Sequence, residues 1–188
     1  MTPNCDGATE FPAAHPDPWS STGPLPGDLL AAKALVYDPS GFGCGRPEAE
    51  AESADYAAHV LTVDGHAIRF RVARTTPTKV GQFVTVWKRS ADGPIQPFDA
   101  ADPVDLFVIS TREGRHFGQF VFPRAVLCEK GIVSRNGVGG KRAFRVYPPW
   151  VTTTNRQAGN TQKWQLNHFL DIGDGPVDLA RSRSLYHP

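Results

Sequence analysis

Two strand-like runs, AAHVLTV (57–63) and HAIRFRVA (66–73), flank Asp64-Gly65, and no other segment constrains the fold as strongly. A two-residue hairpin turn needs positive φ at both central positions, which Asp-Gly tolerates. An antiparallel hairpin is therefore expected, and period-2 alternation assigns its faces. Ile68, Phe70 and Val72 point toward a core, while Arg69, Arg71 and Ala73 point the other way.

Further strands follow. TTPTKVG reads as a turn into QFVTVWKR, where Phe83, Thr85 and Trp87 alternate with Gln82, Val84, Val86 and Lys88. Beyond the loop ADGPIQPFDAADP, the runs VDLFVIS and HFGQFVFP meet across the turn REGR. Ahead of the hairpin, Asp28 is a candidate N-cap for the helix DLLAAKALVY, with Leu29, Leu30, Ala34 and Val36 on or near its buried side and Asp38-Pro39 as its stop. Glu48 to Tyr56 fits a short acidic helix or the lead into a strand. After Pro123, RAVLCEK suits a short helix closed by Gly131, Asn136 to Gly140 a flexible connector, and RAFRVYP a strand. A last helix is placed within residues 155–170, with Ala158, Trp164 and Phe169 on its apolar side. The string predicts an α+β fold, a central, mostly antiparallel (mixed) sheet flanked by helices, compatible with a restriction-endonuclease-like core.

A chain of 188 residues suffices for one domain with a sizeable core. Residues 1–26, which hold six prolines, read as a disordered leader, 27–170 as the single domain, and 171–188 as a polar, frayed tail. No apolar run approaches the ~18 residues that cross a bilayer. The first 25 residues hold Asp6, Glu10 and five prolines in place of the basic and apolar regions of a secretory signal, so a cytoplasmic location is expected. Cys5, Cys44 and Cys128 are odd in number and far apart, which suits neither a disulfide framework nor a zinc site.

The net charge of +1 hides a strong segregation. Gly65 to Ala91 holds six basic residues and Lys130 to Leu170 holds seven, thirteen of the twenty lysines and arginines, with no acid in either stretch. Residues 1–64 hold ten acids against Lys33 and Arg46. Basic blocks interleaved with Phe, Trp, Tyr and Gln suit a polyanion, since phosphates need positive charge and bases need flat apolar faces. They equally suit solvated strand faces neutralised by acids from elsewhere in the fold.

Motifs for chemistry are sparse. NGVGGKR (136–142) is preceded by Arg135 where a P-loop needs its first Gly and ends on Arg142 where it needs the Mg²⁺-binding hydroxyl, which excludes a nucleotide-hydrolysing P-loop; its glycines with Lys141 and Arg142 still suit an anion seat. The six histidines form no pair with a nucleophile, and no metal or cofactor motif is legible. A Mg²⁺-dependent nuclease needs an Asp, then Asp/Glu-x-Lys on the next strand. Asp105 heads a strand, but Gln119 and Val121 occupy the partner positions, Val86 stands two residues before Lys88, and Glu113 with Arg115 falls in a turn. Trp87 and Trp164 suit either base stacking or core packing.

TPTKVGQFVTVWKR (76–89), GQFVFPRAVLCEKGIVS (118–134), GKRAFRVYPPW (140–150) and TQKWQ (161–165) closely resemble the MepB-like family of small bacterial proteins. The likeness begins near DLLAAKALVYDPSGF and runs to about His168. It implies a restriction-endonuclease-like fold and nucleic-acid binding without an assigned reaction. Lys79, Gln82, Lys88, Arg89, Lys141, Arg142, Arg145, Gln162 and Trp164 fall in the matched motifs, and Arg69 and Arg71 join them from the first basic block. Phosphate contact by the cations, with base contact or stacking by Gln162 and Trp164, is the expected division of labour. The alternatives are an enzyme or sensor for a small phosphorylated or anionic metabolite, and a Mg²⁺-dependent nuclease with an atypical site.

Overall fold

The computed structural model describes residues 18–20, 23–89, 93–173 and 175–188. Asp64 (φ 47°) and Gly65 (φ 81°) both take the left-handed backbone and fold β2 (His59–Val63) onto β3 (His66–Val72), the hairpin expected. β1 (Glu48–Ala49) adds to β2, and β3 runs parallel to β8 (Leu106–Glu113). β8 pairs with β9 (His116–Pro123), and β9 with β11 (Phe169–Asp171). The six-stranded order is β1-β2-β3-β8-β9-β11, and every pairing except β3–β8 is antiparallel. With its flanking helices this is a mixed-sheet α+β fold.

The excursion between β3 and β8 supplies β4 (Arg74–Thr76) and β5 (Lys79–Thr85), which join β10 (Ala143–Val146) in a second sheet ordered β10-β5-β4. β6 (Trp87–Arg89) and β7 (Ile95–Pro97) form a separate ladder. The second sheet lies over one face of the first. Phe107 and Ile109 of β8 and Phe120 and Phe122 of β9 meet Val84, Val86, Phe144 and Val146, together with Leu127 of α3 (Arg124–Glu129). On the opposite face Leu106, Val108, Phe117 and Val121 pack with Leu29, Val36, Tyr37 and Tyr186. Burial on both faces explains why the run LFVI (106–109) is continuously apolar. Each of these side chains contributes about 1.5–3 kcal/mol on leaving water.

The first helix departs from expectation. α1 (Gly27–Ala32) starts after Pro26, widens into a π-helical turn (Lys33–Tyr37), and continues through α2 (Asp38–Ser40) to Gly41 at φ 77°. The Phe42 N–H reaches back five residues to the Tyr37 carbonyl, so the chain passes Asp38-Pro39 without stopping there. The wide turn moves the apolar stripe to Leu29, Ala32, Val36 and Tyr37, and leaves Leu30 and Ala34 exposed. Asp28 caps nothing; its carboxylate accepts from Ser110 Oγ and Arg112 Nε.

The C-terminal segment is not a frayed tail. Asp178 caps α5 (Leu179–Tyr186) by accepting from the Arg181 N–H, and Leu185 and Tyr186 enter the core. The Tyr186 hydroxyl bonds to the Tyr37 hydroxyl and Gln119 Oε1, each at 3.2 Å, and burial pushes both phenol pKa values up. Ser182 bonds to Ser40, and His187 Nε2 lies 3.2 Å from Asp64 Oδ2. The polar composition misled because the two anchoring side chains sit at the very end of the helix. Trp19, within the expected leader, is also buried: its indole donates to the Gly45 carbonyl and its ring meets Tyr37 edge-on. The rest of that leader through residue 17, with 21 and 22, lies outside the described residues. Among the described residues no helix is long and apolar enough to cross a membrane.

Candidate functional site

Four of the six cations of the first basic block are consumed internally. Arg71, expected on a water-facing strand surface, is 1 % exposed because the second sheet covers that face of β3. Its Nη1 donates to the Phe70 carbonyl and lies 2.6 Å from Glu50 Oε2, while Nε and Nη2 have no acceptor. Burial lowers its pKa, and the Glu50 charge opposes that shift. Arg69 lies 3.3 Å from the other Glu50 oxygen, Lys88 is paired with Asp102, and Arg89 donates to Glu52 at 2.9 Å. These four expected phosphate contacts are ion pairs with the protein's own acids.

The two glutamines are structural as well. Gln82 is 2 % exposed and donates to the Arg112 carbonyl, joining β5 to the end of β8. Gln162 donates to the Pro148 and Val151 carbonyls and so ties α4 (Arg156–Leu166) to the chain leaving β10. With Gln82 buried and both amide NH2 groups committed to backbone carbonyls, neither side chain is free to read a base edge.

Lys79, a first-block cation at the start of β5, and the cations of the second block behave differently. Lys79, Lys141, Arg145 and Trp164 come together with Lys130 around a cleft of about 510 Å³ between β10 and α4. Among the described residues no acidic side chain lines it. Alternation along β10 sends Phe144 and Val146 into the core and leaves Ala143, Arg145 and Tyr147 on the cleft. Arg145 Nη1 donates to the Gly81 carbonyl at 3.0 Å and Nη2 to Thr76 Oγ1 at 2.7 Å. That guanidinium holds the β4–β5 turn on which Lys79 sits. Tyr147 rests on Gly81 (φ 79°), where an added Cβ would meet the ring at 2.6 Å.

Helix α4 closes the other wall. Asn155 caps it, accepting from the Ala158 N–H at 2.9 Å. The buried Gln165 accepts from the Tyr147 N–H and donates to the Arg145 carbonyl, so the helix is bonded to β10 much as another strand would be. Gln157 and Thr161 complete the lining from its exposed side. Lys79 and Lys141 make no ion pair among the described residues, and Lys130 meets Glu129 at 2.7 Å. Arg142 is exposed beside the cleft but does not line it.

The glycine-rich segment before β10 is pinned, not a flexible connector. Asp99 Oδ2 accepts from the Gly137 N–H at 2.9 Å and from Ser134 Oγ at 2.7 Å, and Oδ1 accepts from the Ala101 N–H. Those bonds, the Gly137 N–H first, lower its pKa to about 2. The backbone there does seat an anion, but the anion is the protein's own carboxylate. Asp105, the candidate nuclease carboxylate, accepts from the Ala67 N–H. Among the described residues no group of three or more His, Cys, Asp or Glu is arranged to hold a metal ion.

Lys130, Asn155, Gln157 and Thr161 were missed as site residues. Lys130 opens the second run free of acids, so charge order could have included it; the others depend on how α4 docks.

Residues 50–171 match the profile of the MepB-like family. A crystal structure of MepB superposes with a TM-score of 0.69 at 33% identity, covering 80% of this chain and all of that one. The structure of a bacterial homing endonuclease, I-Ssp6803I, gives a TM-score of 0.39 at 16% identity over 74% of this chain and 88% of its own. No curated protein matches.

Proposed function

The chain belongs to the MepB-like family, and we propose that it binds nucleic acid by seating backbone phosphates in the cleft between β10 and α4. The observation that carries this reading is the convergence of Lys79, Lys141 and Arg145, none with a carboxylate partner among the described residues, and of the Glu129-paired Lys130, on a concavity that no described acid lines. Cations left uncompensated on a concave wall focus positive potential and attract a polyanion. Neutralisation of Arg69, Arg71, Lys88 and Arg89 by Glu50, Glu52 and Asp102 leaves this cleft as the part of the basic surface fitted to that role.

Fluorescence anisotropy with labelled DNA and RNA tests the reading. The Lys79→Ala, Lys141→Ala double variant is expected to weaken binding at least tenfold at low salt while its melting temperature stays unchanged. Unaltered affinity in that variant, or no binding by the native chain up to high micromolar protein, sinks the proposal. A small phosphorylated or anionic ligand is the second reading, favoured by the cleft volume of about 510 Å³, which falls in the range of small-ligand pockets. A mononucleotide that raised the melting temperature more than an oligonucleotide would decide for it.

A further inference from the structure

Resting on the cleft as a nucleic-acid site, we infer that its ligand is single-stranded, with an unpaired base stacked on Trp164. Trp164 borders two concavities at once. One is the cationic cleft, and the other is an open depression of about 470 Å³ along the outer side of α4, shared with Arg156, Gln157, Asn160 and Thr161. The indole is held from beneath by Phe122, with ring centroids 5.4 Å apart, and the Lys130 ammonium lies 5.8 Å from its centroid. It is only partly buried, a flat ring fixed by packing with surface left toward both hollows. The other tryptophans are placed differently: Trp19 lies in the core, Trp87 lines a hollow shared with Glu50, Glu52 and Asp102, and Trp150 stacks on His116.

A rigid ring beside a row of cations is the combination that binds single strands, since each unpaired base offers a π face and each nucleotide a phosphate. A duplex keeps its base faces inside the stack and shows a protein only edges and phosphates. The placement of the charge agrees. Lys79, Lys130, Lys141 and Arg145 line the concave cleft beside Trp164, whereas the outer side of α4 offers a duplex only Arg156 and Lys163. Helix α4 itself carries no acid, so a strand leaving the cleft over Trp164 meets Arg156 and the amides of Gln157 and Asn160 without repulsion.

The test uses the full chain with a short labelled oligothymidylate, the corresponding duplex, and labelled polyphosphate as a polyanion without bases. The oligothymidylate is expected to bind more tightly than the duplex. Trp164→Leu, which keeps apolar bulk against Phe122, should weaken oligothymidylate binding roughly tenfold and leave polyphosphate binding unchanged. Trp164→Phe, which keeps a flat ring, should restore most of the affinity. Equal or tighter duplex binding, or a Leu variant that binds oligothymidylate as well as the native chain, overturns the single-strand inference and leaves the phosphate cleft standing. Failure of the native chain to bind any of the three overturns both.

Discussion

Arg71 and Glu50 show how an apparently functional residue becomes a structural one. With the guanidinium 1 % exposed and two of its nitrogens lacking acceptors, the ion pair is what makes that burial tolerable. Glu50→Ala leaves the charge buried without its counterion and is expected to cost about 3 kcal/mol by urea denaturation, the low end of the usual range because Arg71 keeps its bond to the Phe70 carbonyl. Arg71→Met should cost less than Glu50→Ala, since it removes the stranded charge and keeps apolar bulk between the sheets. Asp99 gives a pH-dependent counterpart. Its folded pKa, lowered from 3.8 to about 2, means the carboxylate stabilises the 134–140 turn fully above pH 3.8 and progressively less as acid takes the pH through about 2. Amide exchange at Gly137 should therefore accelerate across that acid window, and Asp99→Asn should accelerate it already at neutral pH and flatten the dependence.

At the scale of elements, the wall formed by β10 and α4 depends on one amide. Gln165 satisfies both the Tyr147 N–H and the Arg145 carbonyl, so Gln165→Ala leaves two backbone groups to find water in a confined site. The expected loss is about 1–3 kcal/mol, read by thermal or urea unfolding, together with weaker ligand binding because the two walls lose their spacing. Arg145→Lys should act similarly by releasing the β4–β5 turn, since one ammonium cannot reproduce the planar contacts to the Gly81 carbonyl and Thr76 hydroxyl. Most of these elements were legible. The Asp64-Gly65 turn, the alternation through β5 and β10, the helix closed by Gly131 and the helix within residues 155–170 follow from local rules. What local rules omit is which element covers which face. Alternation correctly opposed Arg69 and Arg71 to Ile68 and Phe70, but it could not announce that the chain returns as a second sheet over the arginine side. The same limit hid the docking of α5, whose apolar anchors are too few to give a periodic signal.

Across the whole molecule, the segregation of charge resolves into two different outcomes. Three acids, Glu50, Glu52 and Asp102, pair with Arg69, Arg71, Lys88 and Arg89 of the first basic block, while Lys79 of that block and Lys141 and Arg145 of the second have no carboxylate partner among the described residues. Both meanings of the charge pattern are thus realised in one chain, neutralisation near β3 and β6 and exposed cations around β10. The consequence is quantitative. If the four cations lining the cleft each neutralise one phosphate, log K for a single strand should fall with log salt at a slope of about −3. Participation of the four paired cations of the first block as well would steepen the slope to about −6. The paired Lys88→Ala, Arg89→Ala variant separates the two cases: it should leave both affinity and slope unchanged while lowering the melting temperature, because each substitution strands an acid, Asp102 or Glu52, that the fold currently neutralises. A shallower slope in that variant would mean that ligand phosphates displace these acids from their partners, and that the ion pairs near β6 are a closed form of a larger binding face.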